Sequence, residues 1–204
     1  MTSIMNATAT PAIFSGAWKR RSVSIGGERP VEPATVLWLQ AGDDFIDIRN
    51  PRVDAPLSGP GAFGGRTTWN DPSLTWEHLL DSAAPGAADS VDVGNDIGTL
   101  IWQDGLIHEH GSFDLDGSKV EFVEVWERVS APEDVVRPVH RFARGSGLVI
   151  CIGAHRVGMV IDDRTGRWAA IYQQHGRRGW RTVIRLGPPD LSQRLAGELD
   201  ATTE

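Results

Sequence analysis

"GLIHEHGSFDLDGSKVEFVEVWERV", residues 105–129, reads as a β-hairpin whose turn is written into it. Asp116-Gly117 is a pair favoured by the two-residue type I′ turn, in which both central residues need positive φ. A turn there sets Phe113 opposite Val120, Gly111 opposite Phe122, Glu109 opposite Glu124 and Ile107 opposite Trp126. Asp104-Gly105 offers a second turn of the same kind, placing Leu100 opposite Glu109 and Trp102 opposite Ile107. One face of the resulting meander carries Leu100, Trp102, Ile107, Phe113, Val120, Phe122 and Trp126, with Glu109 and Glu124 among them. His108, His110, Ser112, Asp114, Lys119, Glu121 and Glu127 fall on the other, solvent-facing side. A slip of one residue would send every side chain to the wrong face, so the alternation fixes the register.

Two carboxylates opposed in an apolar setting cannot both ionise cheaply, because desolvation and mutual repulsion each raise the pKa of the pair. Such a dyad is neutralised by a cation or kept partly protonated for chemistry. The alternative is a longer turn that lets one glutamate reach water. A cation is available in the hairpin 35–50. A turn at Gly42-Asp43 puts Trp38, Gln40, Phe45, Asp47 and Arg49 on one face and Leu37, Leu39, Ile46 and Ile48 on the other. Hydrophobicity nominates the aliphatic face as the core. A barrel built for a polar ligand would instead turn Arg49 and Asp47 inward to meet Glu109 and Glu124, and the residues leave both orientations open. The candidate acid–base and anchoring residues are thus Glu109, Glu124, Arg49 and Asp47. The candidate ligand-binding residues are Trp38, Gln40, Trp69, Trp102, Phe122 and Trp126.

The totals narrow the classes. A chain of 204 residues with net charge −7 has ample length for a core, and its acidity disfavours nucleic acid or an anionic membrane as partner. Eight tryptophans against one tyrosine suit either large core fillers or an aromatic pocket. The single cysteine, Cys151, lies in the apolar run "GLVICIG" and reads as a packed thiol, which fits a reducing cytoplasm. The N-terminus has neither a basic region nor a long apolar one, so no signal peptide is expected. The runs Lys19-Arg20-Arg21 and "HGRRGWR" read as solvated charge. His108-x-His110 shares one strand face, a spacing that also suits metal ligation, but that face is the wet one. No metal and no cofactor is expected, and no phosphate-binding or nucleophile motif stands out.

Along the chain, short strands alternate with turn signals, the pattern of a barrel or sandwich. Strands are expected at 17–25, 35–40, 44–50, 97–103, 106–115 and 118–129. Residues 51–95 read as long loops, interrupted by a short strand at "GRTTW" and a helical turn at "LTWEHLLD". Loops of that length are usually functional, and Arg66, Trp69, Trp76 and His78 are expected near a cavity entrance. After a break at 130–138 come "VHRFAR", "GLVICIG", "VGMVIDD", "RWAAIYQQ" and "WRTVIRLG", then one helix in "PPDLSQRLAGELD" with prolines at its start.

With these residues laid out, a resemblance emerges. "FSGAW" before the first strand resembles the Gly-x-Trp signature that opens lipocalins, and "FDLDGSKVEFVEVWERV" through "GLVICIGAHRVGMVID" is similar to fungal lipocalin-like proteins of the Hri type. "WLQAGDDFIDIRNP" and "AFGGRTTW" also resemble segments of a group of bacterial proteins. The resemblance implies an all-β fold: an antiparallel calycin or lipocalin-like β-barrel with one C-terminal α-helix. Residues 1–204 would form a single domain, with an N-terminal part at 12–130 and the C-terminal strands and helix at 138–200. It also implies that Arg128 packs over Trp18. Two functions follow. One is a barrel that binds a small, partly apolar molecule in a tryptophan-lined cavity anchored by the glutamate pair. The other is a cofactor-independent enzyme, a cyclase, isomerase or decarboxylase, in which a glutamate of raised pKa is the general acid or base. A small-molecule ligand or substrate is the expected partner, and homodimerisation stays open.

Overall fold

The computed structural model describes residues 8–51, 61–83, 96–137, 139–142 and 147–201. Eight antiparallel strands close into a barrel. They are β1 (Gly16–Ile25), β2 (Ala34–Ala41), β3 (Asp44–Pro51), β4 (Gly61–Asn70), β5 (Ser73–Asp81), β6 (Asp96–Gln103), β7 (Leu106–Leu115) and β8 (Ser118–Arg128), with β8 returning to pair with β1. The three registers expected from turn chemistry are present: Glu109 faces Glu124, Leu100 faces Glu109, and Trp38 faces Asp47. Asp104 and Asp116 have φ of 53°, and the glycines after them 77° and 79°, as type I′ turns demand.

Residues 61–83 are not loop. "LTWEHLLD" is strand β5 rather than a helical turn, hydrogen-bonded to β4 on one side and β6 on the other. Leu74 and Trp76 point into the barrel at a spacing of two, and pairing on both edges overrides the helix-forming preference of Leu and Glu. The rest of the expected loop, 52–60 and 84–95, lies outside the described residues.

One end of the barrel is plugged. A 3₁₀ turn at Ala12–Phe14 buries Phe14 under the barrel, and the Trp18 indole donates to the Phe14 carbonyl at 2.8 Å. The guanidinium of Arg128, opposite Trp18 in the register, lies 4.6 Å over the indole ring, and its Nη1 donates to the Ser15 carbonyl at 2.9 Å. The cation closes the end by stacking and by satisfying chain carbonyls at once.

The later strands are not staves of the barrel. β9 (His140–Arg141), β10 (Gly147–Ile152), β11 (His155–Asp162), β12 (Arg167–Gly176) and β13 (Gly179–Leu186) form a sheet of their own in the order β13-β12-β11-β10-β9. One face of this sheet meets the outside of the barrel wall. Leu37, Leu39, Ile46 and Ile48 pack there against Leu148, Ile150, Val157 and Met159. The other face takes helix α1 (Pro189–Ala201), whose Leu191, Leu195 and Leu199 recur every four residues and cover Val149, Cys151 and Ile171. Cys151 is thus a packed thiol. Arg156, fully buried, donates to the Leu199 carbonyl and to Asp200, both at 2.6 Å, and so fastens the helix C-terminus to the sheet.

The hairpin β2–β3 is therefore buried on both faces. Its aliphatic side belongs to the seam between barrel and sheet, and its mixed side, with Trp38, Gln40, Phe45 and Asp47, belongs to the barrel interior. Of the two orientations left open by the residues, the mixed face is the one turned into the barrel, and the aliphatic face is buried outside it against the second sheet.

Candidate ligand-binding site

Inside the barrel, away from the plugged end, nine side chains line a cavity: Trp38, Phe45, Asp47, Arg49, Phe63, Trp76, Asp96, Glu109 and Trp126. About 20 Å³ of it is open to the centres of water molecules, room for one or two of them. Three indoles form the wall, with Trp38 meeting Trp76 edge-on at 5.8 Å and Trp126 at 5.7 Å. Beneath them Trp38 donates to Gln40 Oε1 at 2.9 Å, and Gln40 Nε2 donates to Thr67 Oγ1 at 2.6 Å. Gln40 is thereby committed to the plugged end and does not reach the cavity.

The two opposed glutamates have different fates. Glu109 Oε2 accepts from the Trp126 indole at 2.9 Å, and no described residue donates to Oε1. Burial, reinforced by the Glu124 charge, pushes the Glu109 carboxyl well above the usual carboxylate range, against the opposing pull of Trp126 and Arg49. Gly98 makes room for it: a Cβ there would lie 2.7 Å from Glu109 Cγ. Glu124 turns away and accepts a short charge-assisted hydrogen bond from Arg20. Arg20 Nε also donates to Glu32 at 3.1 Å. Arg20 is only 4% exposed, so the basic run at 19–21 is not a solvated face throughout: Lys19 and Arg21 face water, and Arg20 turns in. Its inward direction follows from Trp18, two residues earlier on the same strand face.

Asp47 and Arg49 enter the interior from β3, with Arg49 Nε donating to Asp47 Oδ1 at 2.8 Å and the guanidinium 4.7 Å over the Phe63 ring. Burial raises the Asp47 pKa, partly offset by Arg49. Arg49 is held charged more firmly than an ordinary arginine, since the charges of Asp47 and Glu124 outweigh its own burial. Nothing described donates to Asp47 Oδ2. At the rim His78 stacks on Phe63, with centroids 4.3 Å apart, and its Nδ1 lies 2.8 Å from Asp81. Its Nε2 is 3.4 Å from Asp96, too poorly aligned for a hydrogen bond but close enough for attraction. Burial opposes a charged imidazole there, yet the two aspartates push its pKa up to about 9.

Of the residues nominated from sequence, Trp38, Trp126, Glu109, Asp47 and Arg49 meet at the cavity. Glu124 is near but engaged with Arg20. Trp69 packs on Phe14 at 5.1 Å, Trp102 is 45% exposed with an edge contact to Trp18, and Phe122 stacks on Phe113. These three share the inner face but sit beyond the cavity at one end or the other. Arg66 points outward, whereas Trp76 and His78 are at the cavity and its rim. Phe45, Phe63, Asp96 and Arg20 are site residues that the sequence reading does not nominate. His108 and His110 lie on the outer face of β7, and no cluster of metal-ligating side chains occurs among the described residues.

A closed antiparallel barrel with an aromatic, charge-bearing cavity, backed by a second sheet and a helix, defines the class of protein. The family described as Protein HRI1 matches residues 17–198, and the chain belongs to that family. Its structure is similar to the crystal structure of an uncharacterized protein of Saccharomyces cerevisiae, YLR301w, with a TM-score of 0.65, 20% identity, and coverage of 84% of this chain and 85% of that one. At that identity the likeness speaks to the fold alone. No curated protein matches the chain. Among the described residues no helix is long and apolar enough to cross a membrane.

Proposed function

We propose that the barrel is lipocalin-like in function as well as form: it binds a small, partly apolar molecule between the three tryptophans, with Glu109 and the Asp47–Arg49 pair as polar anchors. One observation carries the reading. Asp47 and Glu109 are 3% and 7% exposed, yet each has a carboxyl oxygen that no described residue satisfies, and both line an aromatic cavity. Neither oxygen is sealed in the core: each keeps accessible surface on the cavity, where an interior built for stability alone would place apolar side chains rather than two carboxyl groups. The glutamate pair acts as one anchor and one brace: Glu109 faces the ligand, and Arg20 holds Glu124. The small free volume requires either a small ligand or movement of Arg49, whose side chain is about a third exposed. The lone packed Cys151 is compatible with a reducing cytoplasm.

The test is a fragment library of small amines, acids and alcohols with apolar bodies, screened by ligand-observed NMR. Hits should be lost in Glu109→Gln and retained in Glu124→Gln, provided both variants keep the wild-type near-ultraviolet circular dichroism. A library without a hit, or hits indifferent to Glu109→Gln, would end the reading. The raised pKa of Glu109 also favours a second reading, in which its retained proton serves as general acid to a bound substrate. Turnover of a fragment hit, abolished by Glu109→Gln, would establish it.

A further inference from the structure

Resting on the binding reading above, we infer that the cavity is a site for small organic cations, and that Arg49 occupies the ligand's place in the free protein. The walls offer what a cation seeks. Trp38, Trp76, Trp126, Phe45 and Phe63 present ring faces and edges, and aromatic faces attract positive charge electrostatically. The indole N–H groups of Trp38 and Trp126 are already spent on Gln40 and Glu109, so they offer little to an anion. Within the cavity, acceptor capacity is unmatched: Asp47 Oδ2 and Glu109 Oε1 receive no hydrogen bond from any described residue, and the unpartnered donor at the rim, His78 Nε2, is faced by Asp96 at 3.4 Å.

Arg49 already shows how such a ligand sits. Its guanidinium lies over Phe63, is paired with Asp47 through one nitrogen, and remains about a third open to solvent. A cation that is both stacked and ion-paired but not enclosed can swing outward and yield its place. Its departure would also supply the volume that the cavity lacks. The approach is electrostatically suited. Residues 1–140 hold 21 of the chain's 27 acidic residues but only 10 of its 20 lysines and arginines. Asp96, 57% exposed, stands at the cavity rim. Acidic clefts with low-dielectric walls concentrate cations. An anion would meet three lining carboxyl groups, Asp47, Asp96 and Glu109, against one guanidinium, Arg49, and a neutral molecule would leave the field unused.

Three probes of one shape separate the alternatives: choline, 3,3-dimethylbutan-1-ol and 3,3-dimethylbutanoate carry positive, no and negative charge. Each is titrated at pH 8 against wild type, Arg49→Met and Glu109→Gln, read by tryptophan fluorescence and calorimetry. Choline should bind at least tenfold tighter than the alcohol, and the carboxylate should not bind. Arg49→Met, which removes the resident cation, should tighten choline at least tenfold, and Glu109→Gln should weaken it by a similar factor. Arg49→Gln serves as a second variant if Arg49→Met does not fold. Equal or tighter binding of the alcohol or the carboxylate would overturn the cation class while leaving the binding barrel standing. Weaker choline binding in both Arg49 variants would show that Arg49 helps to hold the ligand and does not stand in for it. If no probe binds any of the proteins the inference falls, and the fragment screen then decides separately whether the barrel binds anything.

Discussion

The hairpin β2–β3 is a wall shared by two interiors that differ in kind. On its outer side, Leu37, Leu39, Ile46 and Ile48 meet the second sheet in a dry aliphatic seam. On its inner side, Trp38, Gln40, Phe45, Asp47 and Arg49 face aromatic rings and carboxyl groups. The seam gains stability from burial without direction, at roughly 1.5–3 kcal/mol for each fully buried aliphatic side chain. The barrel interior trades part of that gain for charges that must be matched pair by pair. One interior holds the molecule together, and the other is arranged to do something.

The largest contrast between the two should come from Arg20→Met. Removing the guanidinium takes from buried Glu124 its directly paired counter-charge, leaving only the more distant Arg49, and deprives Glu32 of its partner. Breaking one side of a buried ion pair costs about 3–5 kcal/mol, and urea unfolding should register a loss of that size. A loss below about 1 kcal/mol would mean that the interior is wetter than its burial suggests. Next, Ile48→Ala in the seam should cost about 2–4 kcal/mol through lost contacts and a residual cavity. It should leave the affinity of any fragment hit unchanged, and a matching loss of affinity would show that the two interiors are not separable. The smallest effect has the opposite sign. Because the Glu109 pKa is raised in the folded protein, the folded state holds a proton that the unfolded state gives up near pH 4.5, and stability declines as pH rises above that value. Glu109→Gln removes this decline. It should stabilise the protein by about 1 kcal/mol at pH 8, with the gain fading by pH 4, as thermal melts across that range would reveal.

How much of this was legible in the sequence varies by element for physical reasons. The meander 96–128 could be read to the residue, because two Asp-Gly turns fix the register and period-two alternation fixes the face. The hairpin 34–51 gave its register but not its orientation. Alternation distinguishes inside from outside only when one side is wet, and here neither is. Strand β5 is not legible as a strand because Leu74, Trp76 and Leu80 fit a short helix as well, and neighbours distant in sequence make the choice. Nothing local told β10–β13 which sheet to join. The cavity was half legible. Glu109, Trp126, Trp38, Asp47 and Arg49 follow from pairing, whereas Arg20 was hidden within a basic run, and Asp96 stands at a strand end where no pattern operates.

The double burial of β2–β3 also bears on how the protein tolerates inherited change. A strand with one wet face accepts polar substitutions at every second position, so a record of its viable variants looks striped. Along Val36–Ile48 each of the two strands has an occupied compartment on both sides, and the record should instead be a solid block of intolerance. The outer end of β7–β8, where Ser112 to Lys119 are exposed, should accept most substitutions outside the Asp116-Gly117 turn, whose positive φ restricts it. Variation would thus collect at the tip of one hairpin and be nearly forbidden in another, although both are ordinary pairs of antiparallel strands in the same barrel.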